Sequence, residues 1–259
     1  MGNVYFDEKQ RKKRRWILKL KIYGSLSVFF ILIIGAGYLI VYSPLFRIKN
    51  ILILGTSNVP KLEENIKVFF ANQSKIDKFF GANNILIWKQ EKIGEFLKNE
   101  PQIAELTIKK DYFKRLIKIE VKEREKFGIW CANNCFWFDK NGVVFLESPS
   151  TEGSLINKID DFSDRSFNLG DKILEEKFLS NLIKIFEILE KSGLKIKSLK
   201  LEDIALQEII TDSSPKIYFS LRIEPNFALA ALQSLENIGF EKMEYIDLRV
   251  ENRAYYKMK

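Results

Sequence analysis

An uncharged apolar run near the N-terminus constrains this chain more than any other feature of its sequence. Residues 22–42, IYGSLSVFFILIIGAGYLIVY, contain no charged side chain. A helix rises about 1.5 Å per residue, so the run reaches roughly 31 Å, the thickness of a hydrocarbon core. A cleaved signal peptide has a shorter apolar region that ends at a small-residue site, whereas this run ends in Tyr42, Ser43 and Pro44. We therefore predict a single transmembrane helix over residues 23–43.

The basic stretch before this run is typical either of a nucleic-acid-binding arm or of the cytoplasmic edge of a membrane span. Residues 1–22 hold eight Lys and Arg and two acidic residues, and so carry most of the net charge of +8. The rest of the chain is nearly neutral. Within twenty residues of the span, the far side carries only Arg47, Lys49 and Lys61. The positive-inside bias thus predicts a cytoplasmic tail over residues 1–22 and a single-pass protein of the cell membrane with its bulk outside the cytoplasm. Lipid contact is expected through the span, and no nucleic-acid partner is expected.

The first segment beyond the span alternates between strand and helix patterns. FRIKNILILG (46–55) predicts a strand, and NVPKLEENIKVFFANQ and KQEKIGEFLKNEP each predict a helix with its apolar residues on one face. Two more strands follow. In the second, Ile117, Ile119 and Val121 alternate with polar residues, which predicts one buried face. Strand, helix, helix, strand and strand make one compact α+β unit, which we place at residues 46–123.

The remainder, residues 124–259, predicts a mixed α/β domain with a largely antiparallel sheet. FGIWCANNCFWFDKNGVVFLE contains consecutive strands joined by the turn sequences ANN and DKNG. Residues 175–193 predict an amphipathic helix that ends at Gly193, and Pro225 is expected to open a second helix. Three strand-like runs lie between these helices, and YIDLRVENRAYYK is expected to close the sheet as one final strand.

No pattern of catalytic or metal-ligating residues stands out. The chain has no histidine, which is the commonest general base and a frequent zinc ligand. Neither a Walker loop nor GxGxxG occurs. Acidic pairs such as Glu63/Glu64 and Asp160/Asp161 are typical of solvated surface. We therefore predict a protein that is not an enzyme and holds no cofactor or metal.

Cys131 and Cys135, in WCANNC, are the only cysteines. Two thiols without histidine cannot fill a four-ligand zinc site, and a redox motif would be CxxC at the start of a helix. If residues 132–134 form a hairpin loop, the two cysteines face each other near the spacing that a disulfide needs. The residues leave two alternatives open. One is a structural disulfide, favoured in an oxidising compartment, and the other is two free thiols packed in the hairpin.

The order of these parts resembles the FtsQ/DivIB family of bitopic cell-division proteins, which have a basic cytoplasmic tail, one span, a POTRA domain and a C-terminal β domain. PQIAELTIKKDYFKRLIKIEVKER (101–124) is similar to the family pattern P-x-V-x-x-A-x-V-x-R-x-x-P-x-x-L-x-I-x-V-x-E-R. The following hairpin is similar to the family's hhD-x-x-G-x-hF, carried here by Asp139, Gly142 and Phe145, and YIDLR is similar to its YVDLR strand. Phe113 departs from the pattern, because the family has a proline there.

The resemblance implies a POTRA-type βααββ domain followed by the β domain, and a non-catalytic divisome scaffold. Such a scaffold would bind small bitopic coiled-coil proteins of the FtsB and FtsL type and help to regulate septal peptidoglycan synthesis. The alternative is a POTRA-bearing export or assembly factor that binds extended polypeptides. A factor of that kind usually brings several POTRA units, whereas this sequence shows one.

The resemblance also implies a partner-binding edge near the C-terminus. A last strand carries unpaired backbone groups and can accept another chain by strand addition. We assign partner binding to five residues of that strand: Val250, Asn252, Arg253, Tyr255 and Tyr256. Asp247 and Arg249 are expected to form a structural pair on the same edge strand. Proline at Asn252 or at Tyr255 is expected to abolish partner capture without unfolding the domain.

Overall fold

The computed structural model describes residues 4–149 and 155–259. The chain divides into two compact units, one made of the chain up to Phe96 together with Leu106–Val121, and the other of Leu97–Glu105 together with Lys122–Lys259. The predicted domain limits, 46–123 and 124–259, stay a prediction. Residues Leu97–Glu105 lie inside the first predicted domain but cluster with the second unit.

A single long helix, α1 (Val4–Tyr42), begins the first unit. It runs without a break from the basic tail through the uncharged run. Its segment Arg11–Tyr42 is long and apolar enough to cross a membrane, and its most apolar window is not buried against any part of the described chain. An apolar helix with no protein around it is consistent with the single-pass anchor that the sequence predicts.

Beyond α1, the first unit contains a three-stranded sheet and short helices, although the ends of some elements cluster with the second unit. Its elements are β1 (Asn50–Leu54), α2 (Val59–Ala71), α3 (Lys75–Phe80), α4 (Ile93–Leu97), β2 (Ile103–Asp111) and β3 (Leu116–Glu123). The strand order is β1-β3-β2, with β1 parallel to β3. The alternation predicted for the last strand is confirmed, since Ile117 and Ile119 are fully buried and Val121 is nearly so.

Helix α3 has no counterpart among the predicted elements. Ser74 caps its N-terminus, because the Ser74 hydroxyl accepts a hydrogen bond from the Asp77 amide at 3.1 Å. Six residues are too few to show a helical period in a sequence. Ser74, a residue type common at helix N-termini, is the one sequence signal for this helix.

The second unit contains one large mixed sheet. Its elements are β4 (Gly128–Cys131), β5 (Cys135–Phe138), β6 (Val144–Glu147), β7 (Asn157–Asp161), α5 (Glu176–Lys191), β8 (Leu199–Leu201), β9 (Glu208–Thr211), β10 (Lys216–Ser220), α6 (Ala228–Glu236), β11 (Met243–Val250) and β12 (Arg253–Met258). The strand order is β12-β11-β10-β9-β8-β7-β4-β5-β6. The pairs β10/β11, β4/β7 and β7/β8 are parallel and the other neighbours are antiparallel, so the prediction of a mixed, largely antiparallel sheet is confirmed.

Helices α5 and α6 cover one face of this sheet. Leu182 and Ile185 of α5 and Leu232 of α6 are completely buried in one apolar cluster with strand residues such as Phe219 and Ile246. The predicted end of α5 is confirmed, because Gly193 follows it with φ +72°. Alternate residues of the same strands point to the opposite face.

Two predicted boundaries in this unit are wrong. Helix α6 begins at Ala228 and not at Pro225, whose carbonyl accepts a hydrogen bond from the Ala228 amide. YIDLRVENRAYYK is a hairpin of two strands and not one strand. The chain reverses at Glu251 and Asn252, where Asn252 adopts φ +56°. Asparagine tolerates this left-handed conformation better than most residues, which allows so tight a turn without glycine.

Candidate functional site at the C-terminal edge of the large sheet

The last strand, β12, forms one edge of the large sheet. It pairs antiparallel with β11, so that Tyr256 lies opposite Ile246, Tyr255 opposite Asp247, and Arg253 opposite Val250. Within the described ranges no strand lies on its other side. An edge of this kind presents a row of backbone N–H and C=O groups that another chain can pair with.

The side chains of β12 alternate between the two faces of the sheet. Ala254 packs against the apolar cluster under the helices, and Tyr256 points to that same face but is 46% exposed. Tyr255 points to the face that neither α5 nor α6 covers, here called the helix-free face, and is 49% exposed. The edge therefore offers one tyrosine on each side of its backbone. Aromatic side chains placed this way are typical anchors of protein interfaces.

Asp247 and Arg249 form a pair with two parallel hydrogen bonds. Arg249 Nε donates to Asp247 Oδ1 at 2.9 Å and Nη2 donates to Oδ2 at 2.6 Å. Arg249 Nη1 also donates to Glu208 Oε2 at 2.7 Å. The guanidinium lies 5.1 Å from the centre of the Tyr218 ring. The hydrogen bonds from Arg249 lower the pKa of Asp247 below its ordinary value, although partial burial acts in the opposite direction.

This pair does not lie on the edge strand, and that part of the prediction is wrong. Because the chain turns back at Asn252, Asp247 and Arg249 belong to β11, the second strand of the sheet. Glu208 is in β9 and Tyr218 in β10. Arg249 therefore connects three neighbouring strands on the helix-free face and supports the strand against which β12 pairs.

The five residues predicted to bind a partner lie in this one hairpin. Val250 ends β11, Asn252 forms the turn, and Arg253, Tyr255 and Tyr256 belong to β12. Arg253 Nη1 donates a long hydrogen bond of 3.4 Å to the Tyr255 hydroxyl. The structure thus brings the predicted residues together, with Val250 at the end of β11, Asn252 in the turn and the other three on the edge strand. Their role in binding stays a prediction.

Two other sheet edges in the described chain, those of β6 and β2, are partly occupied. At the far end of the large sheet, the Val144 amide of β6 donates to the Asp171 carbonyl at 2.9 Å, and the Gly170 amide donates to the Val144 carbonyl at 2.7 Å. On β2, the side-chain amide of Gln90 accepts from the Ile108 amide at 2.7 Å and donates to the Leu106 carbonyl at 3.2 Å. These contacts use backbone groups that an incoming strand would need. They leave β12 as the more open edge of the large sheet.

An ion pair connects the end of the 101–124 pattern with the DKNG turn. Arg124 Nη1 donates to Asp139 Oδ2 at 2.6 Å, and both side chains are largely buried. The other oxygen of Asp139 accepts from the backbone amides of Asn141 and Val143 at 3.0 and 2.9 Å. Asp139 thus holds the DKNG turn in shape. At Gly142, φ is +72° and an added Cβ would lie 2.8 Å from Leu179, so both backbone and packing require glycine.

Asp161 was predicted to be a solvated surface residue, and this is wrong. It is 6% exposed. It accepts hydrogen bonds from Trp130 Nε1 at 2.9 Å and from Arg165 Nη2 at 2.8 Å, and from the Ser163 amide and hydroxyl. The sequence pair Asp160/Asp161 does not indicate this burial. Trp130 lies in β4, distant from Asp161 along the chain, and Arg165 lies in the irregular loop after β7.

Cys131, which ends β4, and Cys135, which begins β5, lie opposite each other next to the loop of the hairpin. Their Cα atoms are 4.0 Å apart and their sulfur atoms are at bonding distance. Thiol titration of the unreduced protein distinguishes the two alternatives, since a disulfide leaves no free thiol. No group of residues suited to hold a metal ion occurs in the described ranges.

Comparison with known proteins finds similarity to a cell division protein. No profile of a known protein family matches the chain. The chain is 27% identical over 177 residues to the cell division protein DivIB of Clostridium acetobutylicum, an alignment that spans 68% of this chain and 65% of the relative. The chain thus covers somewhat less than two thirds of the length of that protein. This chain is therefore distantly similar to a cell division protein DivIB.

Proposed function

We propose that this chain is a non-catalytic, membrane-anchored cell-division protein that binds an extended segment of a partner along β12. The homology to DivIB supports the role in cell division. The observation that carries the binding mode is the open edge of β12, with Tyr255 and Tyr256 exposed on opposite faces.

Strand addition at this edge explains why both tyrosines are exposed. A strand placed beside β12 forms backbone hydrogen bonds along the edge, and its side chains alternate between the two faces. On the helix-free face they meet Tyr255, and on the other face they meet Tyr256. The main-chain bonds supply affinity that depends little on sequence, and the two aromatic contacts supply selectivity.

The proposed partners are small single-span coiled-coil proteins of the FtsB and FtsL type, through which the chain helps to regulate septal peptidoglycan synthesis. The resemblance to the FtsQ/DivIB family supports this choice. The excess of basic residues before the span supports a cytoplasmic N-terminus, with residues 44–259 on the other side of the membrane. Alkaline phosphatase fused after Lys259 would then be active, and an inactive fusion with an active cytoplasmic reporter would reverse the orientation.

Alanine substitutions on β12 test the proposed interface. We expect Tyr255→Ala and Tyr256→Ala each to weaken capture of the coiled-coil partner by about tenfold or more, because buried aromatic anchors at interfaces contribute at least about 2 kcal/mol. The measurement is the Kd of the full chain in detergent for the purified partner. Tyr112→Ala is the matched control, since Tyr112 is also 49% exposed but belongs to the first unit. Equal affinities for all three variants would contradict the proposed edge.

The alternative of an export or assembly factor would place binding on the small sheet. There, the Gln90 amide already bonds to two backbone groups of β2. No comparable side chain bonds to the outer edge of β12 among the described residues, which favours β12 over β2 as the binding edge. Capture of unfolded exported chains that is insensitive to changes on β12 would support the alternative.

A further inference from the structure

A second apolar surface lies beside the end of α1, inside the first unit. Helix α3 exposes Ile76 and Phe79, with 66% and 67% of each residue accessible to solvent. Together with Gly37, Ile40 and Val41 of α1, these side chains line an almost entirely apolar groove of about 330 Å³. The apolar surface of the membrane-spanning helix is therefore continuous with the apolar surface of α3.

The depth of this groove follows from its position on α1. Tyr38 and Tyr42, whose ring centres are 4.7 Å apart, are residues of the type that marks the interface of a membrane with water. The groove residues of α1 lie in the same last turns of the uncharged run. The loop after α3 is attached there, because Asn84 Nδ2 donates to the Ile40 carbonyl at 3.4 Å. The medium that surrounds the end of the span therefore also surrounds Ile76 and Phe79.

The turn between β2 and β3 brings a second apolar tip to the same end of the unit. Arg115 Nη1 donates to the carbonyl of Pro44, just beyond the span, at 3.1 Å. The Arg115 carbonyl accepts from the Lys49 amide at 2.8 Å. Two residues earlier, Phe113 is completely exposed. An exposed phenylalanine in a turn that contacts the end of the span is an independent sign of an apolar environment there.

Basic side chains outnumber acidic ones beside both apolar tips in the sequence. On α3, Lys75 and Lys78 lie on either side of Ile76 and Asp77. Lys114 and Arg115 follow Phe113, and Lys114 Nζ lies 3.8 Å from Asp111 Oδ2. The four basic residues are at least partly accessible to solvent. Exposed aromatic and aliphatic residues among lysines and arginines are the pattern of segments that lie in the interface of a membrane with anionic headgroups.

We infer that α3 and the β2–β3 turn form a second membrane contact, which inserts Ile76, Phe79 and Phe113 into the lipid interface beside the span. The occupant of the groove is lipid, because the groove is continuous with the surface of a helix that lies in the bilayer. This contact would fix the first unit against the membrane rather than leave it on a flexible stalk. The inference rests on α1 crossing the bilayer and does not depend on partner capture by β12.

Lipid photocrosslinking of the unmodified full chain tests this contact. The chain is reconstituted in nanodiscs of phosphatidylcholine and phosphatidylglycerol that contain a phospholipid with a photoreactive acyl chain, and adducts are mapped by mass spectrometry. We expect adducts in α1, in residues 75–80 and in residues 112–115. Adducts in α1 alone would overturn the inference, while an α1 without adducts would mean that the span itself is wrong.

Site-specific labels give a second, independent readout. A fluorophore is attached to Ile76→Cys, Phe79→Cys or Phe113→Cys in a Cys131→Ala/Cys135→Ala background and quenched with brominated lipid or with aqueous iodide. Leu54→Cys is the matched control, since Leu54 is 43% exposed but lies at the far end of β1, about 13 Å beyond Asn50. We expect lipid quenching at the three test positions and iodide quenching at Leu54. Iodide quenching at all four positions would overturn the inference.

Discussion

Two buried aspartates, Asp139 and Asp161, each bind an arginine and several other donors inside the second unit. A buried carboxylate is stable only when its charge is paired and its lone pairs are satisfied. In the described part of the chain, no buried side-chain nitrogen or oxygen lacks a partner. Single substitutions at these two positions should therefore be costly, and in different ways.

Asp139→Ala removes the partner of a buried arginine and the acceptor of two turn amides. We expect it to lower the free energy of unfolding of the second unit by about 3–5 kcal/mol, because it leaves the Arg124 charge buried and unpaired. Urea denaturation followed by tryptophan fluorescence measures this loss. Asp212→Ala is the control, since its pair with Lys200 is well exposed and should cost no more than about 1 kcal/mol. Similar losses for the two variants would contradict the structural role of Asp139.

Asp161 should make stability depend on pH. Burial raises the pKa of Asp161, but hydrogen bonds from Ser163 and Trp130 and the charge of Arg165 outweigh it, so the pKa lies below its ordinary value. A lowered pKa contributes stability that is present above the unfolded pKa of about 3.9 and is lost as pH falls through the folded pKa. We expect Asp161→Asn to destabilise the protein at pH 7 and by less near pH 3. A stability difference that is the same at both pH values would contradict this assignment.

At the level of elements, the C-terminal hairpin depends on one residue conformation. Asn252 adopts φ +56°, which glycine adopts freely and which a β-branched residue adopts only with strain. Proline fixes φ near −65° and cannot form this turn. A proline at Asn252 would therefore open the hairpin and not merely block an edge. We therefore no longer expect proline at Asn252 to leave the C-terminal hairpin of the domain intact.

A pair of substitutions at Asn252 tests the hairpin directly. We expect Asn252→Gly to leave it intact and Asn252→Val to destabilise it by about 1–2 kcal/mol, since a left-handed conformation strains a β-branched residue. Hydrogen exchange of the β12 amides measures the difference, with faster exchange in the valine variant. If both variants protect β12 equally, the turn does not depend on this conformation.

The elements that could be predicted are those with a local signal. The two faces of β3, the amphipathic α5 with its terminal Gly193, and the β4–β6 hairpins each follow from short-range periodicity or turn residues. The turn at Asn252 was missed because Glu251 and Arg253 are not turn residues and no glycine or proline marks the reversal. The pairs of Arg124 with Asp139 and of Trp130 with Asp161 were missed because they join residues far apart in the chain, and no local pattern encodes them.

At the level of the whole molecule, the chain forms two compact units, and the first begins with a helix long and apolar enough to cross a membrane. The first unit carries apolar and basic residues beside the span, and the second carries the open edge of a large sheet. The distant similarity to a DivIB protein supports the proposed role in cell division. The proposed link between the open edge and that role is capture of a partner by β12.

Site-specific photocrosslinking from Tyr255 examines that link in the membrane of the source cell. A photoreactive amino acid replaces Tyr255 in the full chain, and captured proteins are identified by mass spectrometry. Glu147 is the matched control position, because it is exposed on β6 at the opposite edge of the same sheet. We expect a small single-span coiled-coil protein to be captured from Tyr255 and not from Glu147. Capture of unfolded exported chains, equal capture from both positions, or no capture from Tyr255 would contradict partner binding on the last strand.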